Sequence, residues 1–481
     1  MTKTRSRTTA PLILTLVAAQ FLVMLDSSII NVALPSIAAE LGLGAVDTAW
    51  ILNAYFLTFG GLLLISGRAA DVFGRRRMFL IGAAVLFAGS LIGGLAATNA
   101  LLMGARLVQG AGAAMISPAA MSVILGRFAA SSRARAMSGW GAASSIGGAS
   151  GVTVGGLLTA TFGWHSVMLV TATAAAAVGL AAWRLVPRDV AAARRQFDAT
   201  GAALLTTSAL AVVFTILEAP HAGLGSVQVL GAALLAIASL AAFAAAERRS
   251  ADPILSLPVL RNPRVAGGVV VNLLGGAARI ACFVLVALLL QQVLEFGPGL
   301  AGAAMLPTSL AGFAISTLLL PRALTRLGAQ RVVLIGLLLL AVAHLMLSSV
   351  HNGDLYALQV LPALMLAATG VSFSFTPTTL VIAEGAAAHN AGVSSGLASA
   401  TAQIGGAIGI ALFGVLDATA RAGVVATGGT ALAAAERGLS TAHAAAATTA
   451  LAAAAVAVLT FPALHRLPVV QRVPLRALSE D

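Results

Sequence analysis

The chain is a succession of long apolar runs broken by short polar stretches. Runs of about 18–25 residues suffice for a helix to cross ~30 Å of hydrocarbon. Fourteen are read, at 12–35, 48–66, 78–97, 101–125, 136–160, 164–186, 199–217, 227–246, 265–292, 299–320, 332–350, 355–382, 392–416 and 441–464. The pattern predicts an all-α membrane protein with fourteen transmembrane helices. The first run is too long for a signal-peptide core and leads straight into the next, so it is expected to be a retained helix.

The polar interruptions are unequal. With the N-terminus inside, every Lys and Arg except Arg106, Arg279, Arg421 and Arg437 falls in a terminal tail or an inner loop. The outer loops before residue 417 hold Glu40, Asp47, Glu218, Glu295 and Asp354 instead. That asymmetry places both termini in the cytoplasm and requires an even number of spans. Composition agrees: 59% of residues are hydrophobic and 9% charged, against ~25% charged in a soluble domain. The net charge of +12 is therefore a topology signal, and no nucleic-acid partner is expected.

What is missing bounds the chemistry. Cys282 is the only cysteine, which excludes an internal disulfide and a thiolate metal cluster. Lys3 is the only lysine, so no phosphate-binding loop of the Gly-Lys-Ser/Thr kind exists. Any pumping must draw on an ion gradient or a separate subunit. No cluster of His and Glu and no Ser-His-Asp arrangement suggests an enzyme.

A repeat sets the organisation. GRAADVFGRRRMFLIG (67–82) returns 254 residues later as PRALTRLGAQRVVLIG (321–336), and IGGASGVTVGGLL (146–158) returns as IGGAIGIALFGVL (404–416) at an offset of 258. Duplicated segments of this kind build transporters from two related bundles. The surplus length between the copies suits two extra helices. The expected division is a six-helix bundle over 1–186, a linker with two helices over 187–262, and a second six-helix bundle over 263–481. The stretch 417–440, rich in Ala, Gly and Thr, is expected to be a flexible outer loop.

With these motifs in order, the chain resembles the fourteen-helix, drug:proton antiporter branch of the major facilitator superfamily. LDSSIINVALP (25–35) matches the acidic signature of helix 1, and Gly67, Arg68, Asp71, Gly74, Arg75 and Arg76 match the loop after helix 2. Arg106, Gln109 and Gly110 match the Arg-x-x-Gln-Gly motif of helix 4. Gly147, Gly151, Gly155 and Gly156 match the antiporter motif of helix 5, with Val152 where a Pro is usual. The resemblance implies a major facilitator fold, two six-helix bundles plus two extra helices. It implies a monomeric exporter in the cytoplasmic membrane whose partners are a small amphiphilic or aromatic compound, protons and the lipid bilayer. It needs no cofactor. A proton symporter or facilitator for a small polar nutrient would use the same fold.

The residues also read physically. Asp26 lies deep in helix 1, where a carboxylate is costly unless protonated, paired or facing a wet cavity. Burial disfavours its charged form and a cation favours it, so two conformations could bind and release a proton in turn. The alternative is a static structural ion pair. Arg106 is the expected cation, unless it snorkels to the headgroups. Gly67 and Gly74 are expected to make a tight turn. Asp71 could latch the two halves at the inner side, or the loop could be a plain stop-transfer charge cluster. Glycine every four residues in helix 5 makes a groove for a close helix crossing.

Arg279 is the unexpected residue, near the middle of helix 9. Either it binds substrate, or it pairs with an acid of the other half or with backbone carbonyls. Asp26 and Arg279 are expected to present opposite charges from the two walls of a cavity lined mainly by helices 1, 4, 5, 9, 10 and 13. Asp26, Asn31, Asn53, Gln109, Asn272, Arg279 and Gln403 are the substrate-binding candidates. His344 and His351 read as isolated structural residues, and Glu384 as an interface residue.

Overall fold

The structure is a computed structural model that describes residues 4–128, 130–188, 198–249, 261–385 and 391–461. Its helices are α1 (Thr4–Ile29), α2 (Leu34–Leu41), α3 (Ala45–Phe73), α4 (Arg75–Gly94), α5 (Asn99–Arg127), α6 (Ala130–Phe162), α7 (His165–Leu185), α8 (Ala199–Ala222) and α9 (Val227–Arg249). The second part of the chain adds α10 (Pro263–Gln292), α11 (Pro298–Ala304), α12 (Leu306–Ala314), α13 (Leu320–Leu327), α14 (Ala329–Ser348), α15 (Leu361–Gly385), α16 (Ala391–Ala426) and α17 (Ala431–Thr460). Among the described residues eleven helices are long and apolar enough to cross a membrane, with α11 to α13 counted as one rod. The other three expected spans lie in α3, α6 and α8. The apolar stretches of α3 and α8 are shorter, Trp50–Leu63 and Thr200–Ile216, and α6 spends its sequence on Gly, Ser and Thr.

Breaks occur where the backbone loses a donor. α1 ends at Ile29; two tight turns follow, closed by Asn31 N–H to Ser28 O (3.1 Å) and Ala33 N–H to Ile30 O (2.9 Å), and α2 restarts around Pro35. The helix that holds Asp26 therefore ends at Ile29, and the first run continues through a separate short helix to Leu41 rather than ending at 35. Pro307 and Pro321 similarly segment the rod of α11 to α13, with a π-turn segment, Ile315–Leu319, between them.

The expected loop at 417–440 is almost entirely helical. α16 runs to Ala426 and α17 begins at Ala431. Alanine favours helix strongly, Gly428 alone takes positive φ (81°), and Thr430 caps α17 by accepting from Ala433 N–H. Arg421, an arginine on the side where the sequence showed few, is paired with Asp417 one turn earlier at 2.8 Å.

The duplicated basic loop is shorter than it looked. Gly67 lies inside α3, and Gly74 (φ 102°) is the sole residue between α3 and α4. In the second copy Gly328 (φ 78°) alone separates α13 from α14. Each glycine donates its N–H four residues back, to Ala70 O and Leu324 O. A residue with a Cβ would be strained at either place.

The two halves also repeat their packing. A methyl group at Gly147 or Gly151 of α6 would meet the carbonyls of Phe21 and Leu25 in α1, at 2.6 and 2.8 Å. Gly405 and Gly409 of α16 face Leu273 and Ala277 of α10 in the same way, 252 positions after Phe21 and Leu25. Gly112 of α5 abuts Leu86 and Gly82 of α4; Gly370 of α15 abuts Leu340 and Gly336 of α14. The two sets of partners thus correspond at offsets of 252 to 258.

Between the halves α3 packs on α16, and α6 on α11 and α12. α8 lies against α3 and α16, and α9 packs on α8. The halves meet closely at the end that holds α2. There Gly156 meets Gly302 backbone to backbone, and Gln291 Nε2 donates to Val32 O at 3.3 Å.

Candidate functional site

A cavity of about 100 Å³ lies between the halves, walled by α1, α3 and α6 on one side and α10, α15 and α16 on the other. Pockets for drug-sized ligands run to ~300–1,000 Å³, so the halves must part to admit one. The expected lining by helices 4 and 10 is not observed. α5, which is helix 4, sits behind α3 and α4, held close by Gly110 against Tyr55 and Gly112 against Leu86. The rod of α11 to α13 packs against α6 and α15 instead.

Of the seven substrate candidates, Asn31, Arg279 and Gln403 line the cavity. Asp26, Asn53, Gln109 and Asn272 do not line it and are buried among the helices of their own halves. Asp26 and Arg279 therefore do not face each other across it. Ser27 and Ser28, next to Asp26 on α1, do line it.

Behind the α1 wall lies a closed polar cluster. Gln109 Nε2 donates to Asp26 Oδ1 (3.1 Å) and to Ser90 Oγ (2.8 Å), while its Oε1 accepts from Arg106 Nη1 (3.0 Å). Arg106 Nη1 stands 3.9 Å from Asp26 Oδ1, at the limit of an ion pair. Its Nε donates to Ile51 O (3.3 Å), and its guanidinium lies 4.4 Å from the Tyr55 ring centroid. The Tyr55 hydroxyl donates to Val23 O at 3.2 Å. Asp26, Arg106 and Gln109 are all fully buried, so Arg106 does not snorkel. Two atoms of the cluster have no partner: Asp26 Oδ2 and Arg106 Nη2. The amide of Gln109 is thus the bridge, where a direct bidentate pair would have used both oxygens.

The sequence reading missed Tyr55 and Ser90. Tyr55 carried a signal, as one of only two tyrosines and seated inside an apolar run. It also missed that His344 is not isolated. His344 Nδ1 is 2.9 Å from His443 Nδ1, and His344 Nε2 donates to Ala278 O at 3.2 Å. Both rings are fully buried.

On the facing wall Arg279 Nη2 donates to Asn272 Oδ1 (2.8 Å), and Asn272 Nδ2 donates to Thr401 Oγ1 (3.2 Å) and to Ala398 O. The guanidinium lies 5.6 Å from the Phe375 ring. Arg106–Asp26 and Arg421–Asp417 are ion pairs of the membrane helices. Pairing of Arg279 with an acid of the other half is not seen; its partners are an amide and a carbonyl of its own helix.

At the basic loop Arg76 donates to Trp183 O, tying α4 to the end of α7 within one half. Arg68 lies near the end of α3 and Arg75 opens α4. The side chains of Asp71 and Glu384 lie outside the described residues. The helix 5 motif is a packing face, as its spacing suggested: Gly147, Gly151 and Gly155 follow α1, and Gly156 meets the other half. α6 runs unbroken through Val152.

The family model of the Major Facilitator Superfamily matches residues 16–410. The chain belongs to that superfamily. As a major facilitator protein it is a multi-pass membrane transporter, not an enzyme. It is 36% identical over 427 residues to the puromycin resistance protein pur8 of Streptomyces alboniger, covering 87% of this chain and 84% of the relative. It is 34% identical over 414 residues to the cephamycin export protein CmcT of Amycolatopsis lactamdurans, covering 85% of each. Among solved structures, the POT family transporter PepTSo superposes with a TM-score of 0.69 at 14% identity, over 95% of this chain and 98% of that one. That likeness concerns the major facilitator fold alone.

Proposed function

We propose that the protein exchanges protons for small amphiphilic or aromatic compounds, such as drugs, antibiotics or secondary metabolites, and expels them across the cytoplasmic membrane by alternating access. In this reading fourteen helices span the bilayer, as two six-helix bundles with α8 and α9 added between them. Both termini are cytoplasmic and the α2 end faces outward. The energy source is the proton gradient, with no cofactor.

The observation that carries the reading is the half-satisfied carboxylate of Asp26. Gln109 holds Oδ1, while Oδ2 has no hydrogen bond, the Tyr55 hydroxyl beside the carboxyl being turned to Val23 O. A buried charge with a missing partner is costly, and a proton on Oδ2 removes that cost. Protonation also ends the attraction for Arg106, 3.9 Å away. Ser27 and Ser28 carry any resulting movement of α1 to the cavity wall, because they follow Asp26 directly in the chain. Opening to the outside then requires the Gly156–Gly302 and Gln291–Val32 contacts to part. The names of the relatives, which concern resistance and export, support export over uptake.

The test is accumulation in a bacterial host stripped of its own exporters. Cells expressing the protein should hold less puromycin or fluorescein than control cells, and a protonophore should abolish the difference. Accumulation above the control would favour the symporter reading.

A further inference from the structure

Arg279 combines three properties. It is 3% exposed yet lines the cavity, its Nη2 is occupied by Asn272, and its Nη1 has no hydrogen-bond partner. Gly275 makes room for it: a Cβ there would come within 2.7 Å of Nη1, so the guanidinium lies folded along its own helix. Among the described residues no acidic residue lines the cavity. Asp26 is spent on Gln109 behind the α1 wall. The one formal charge on the cavity surface is therefore positive.

Two further side-chain atoms of the lining lack partners, Asn31 Oδ1 from the first half and Gln403 Oε1 from the second. Both are hydrogen-bond acceptors. Between them the walls are aromatic, with Phe56, Phe283 and Phe375. Buried polar groups are normally satisfied. Here a donor on a cation and two acceptors, all without partners, belong to residues lining one cavity; each atom is itself covered in this closed form, and a ligand can complete all three once the halves part.

We infer that the cavity takes organic anions: compounds with one acidic group, a carboxylate or phenolate, on an aromatic body that also bears an N–H or O–H donor. The inference rests on the export reading, which makes this cavity the substrate site. The acidic group docks on Arg279 Nη1, where a planar guanidinium gives directed, charge-assisted hydrogen bonds. The donor is shared between Asn31 and Gln403, so one ligand contacts both halves. A permanent cation of the same size would meet an uncompensated guanidinium and nothing to neutralise it.

The test uses the full-length protein, purified in lipid nanodiscs, and two fluorescent probes of similar size. One is fluorescein in mildly acidic buffer, where it is an aromatic carboxylate that keeps a phenol O–H; the other is rhodamine 6G, a permanent cation that also bears N–H donors. Wild type should bind fluorescein saturably and more tightly than rhodamine 6G. Arg279→Gln should weaken fluorescein by ~10- to 100-fold, the value of a hydrogen bond to a charged group, and leave rhodamine 6G unchanged or tighter. Arg279→Lys, which keeps the charge, should retain most of the fluorescein affinity. A folded Arg279→Gln protein that loses both probes equally would make the arginine structural and overturn the inference. Tighter binding of rhodamine 6G by wild type, or no saturable binding of fluorescein, would overturn it as well. The export reading fails separately, when cells expressing the protein accumulate no compound less than control cells do.

Discussion

The two half-bundles share a scaffold and differ in what they bury. Gly147 and Gly151 seat α6 on α1 as Gly405 and Gly409 seat α16 on α10. Within that common frame the first half holds Asp26, Ser90, Arg106 and Gln109. The corresponding places in the second half, 252 positions after Asp26, 254 after Ser90 and 258 after Arg106 and Gln109, hold Ala278, His344, Leu364 and Ala367. A bundle of this shape thus packs without a charged cluster. His344, in the place of Ser90, is met by a second imidazole and a backbone carbonyl instead. The ion pair of the first half is therefore not needed for the fold, and charges that deep in a membrane protein are costly unless used.

Removing the bridge of the charged half should have the largest effect. Gln109→Leu strips Asp26 Oδ1 and Arg106 Nη1 of their shared partner. Hydrogen bonds to charged groups are worth ~1.5–3 kcal/mol, so export should fall ~10- to 100-fold, measured as efflux rate per molecule in the membrane. The mirror change Ala367→Ser should leave that rate unchanged. Equal losses would mean that both halves carry the coupling.

Damage to the shared scaffold should be symmetrical. Gly151→Val and Gly409→Val each force a side chain against backbone of the neighbouring helix, at a cost of ~1–3 kcal/mol or more. Loss of monodisperse protein on heating, followed by size-exclusion chromatography, should be similar for the two. If one is tolerated, the halves do not pack alike.

The histidine pair of the second half should give the smallest change. His443→Leu leaves His344 Nδ1 without a partner, for ~1–2 kcal/mol of stability, with export per folded molecule intact. The double change His344→Ser with His443→Met should recover part of the loss. An export defect in the folded His443→Leu protein would place function in the second half too.

Much of this was legible in the chain. Apolar run length gave the all-helical membrane architecture, with eleven of the fourteen expected spans among the described residues, and the two offset repeats anticipated the matching glycine contacts, because these follow from hydrocarbon thickness and from duplication. Four-residue glycine spacing gave the α6 groove. Asp26, Arg106 and Gln109 were found as individuals, but their order was not: that Gln109 bridges the other two depends on how far α5 sits behind α3, which a Cβ-free contact at Gly110 decides. The His344–His443 pair spans helices α14 and α17 and has no local signature. The segment 417–440 misled because Ala, Gly and Thr suit loops and helix alike, and only tertiary packing separates the two.

The claim that Asp26 carries the coupled proton is tested most directly in inside-out membrane vesicles. A pH gradient is set up by respiration and followed with a fluorescent amine, and puromycin or a non-fluorescent aromatic carboxylate is added. Vesicles with the wild-type protein should release part of the gradient on addition, as protons leave in exchange for drug. Asp26→Asn vesicles, holding the same amount of protein, should show no release. Drug-evoked release from Asp26→Asn at the wild-type rate would contradict the assignment and move the proton elsewhere in the chain.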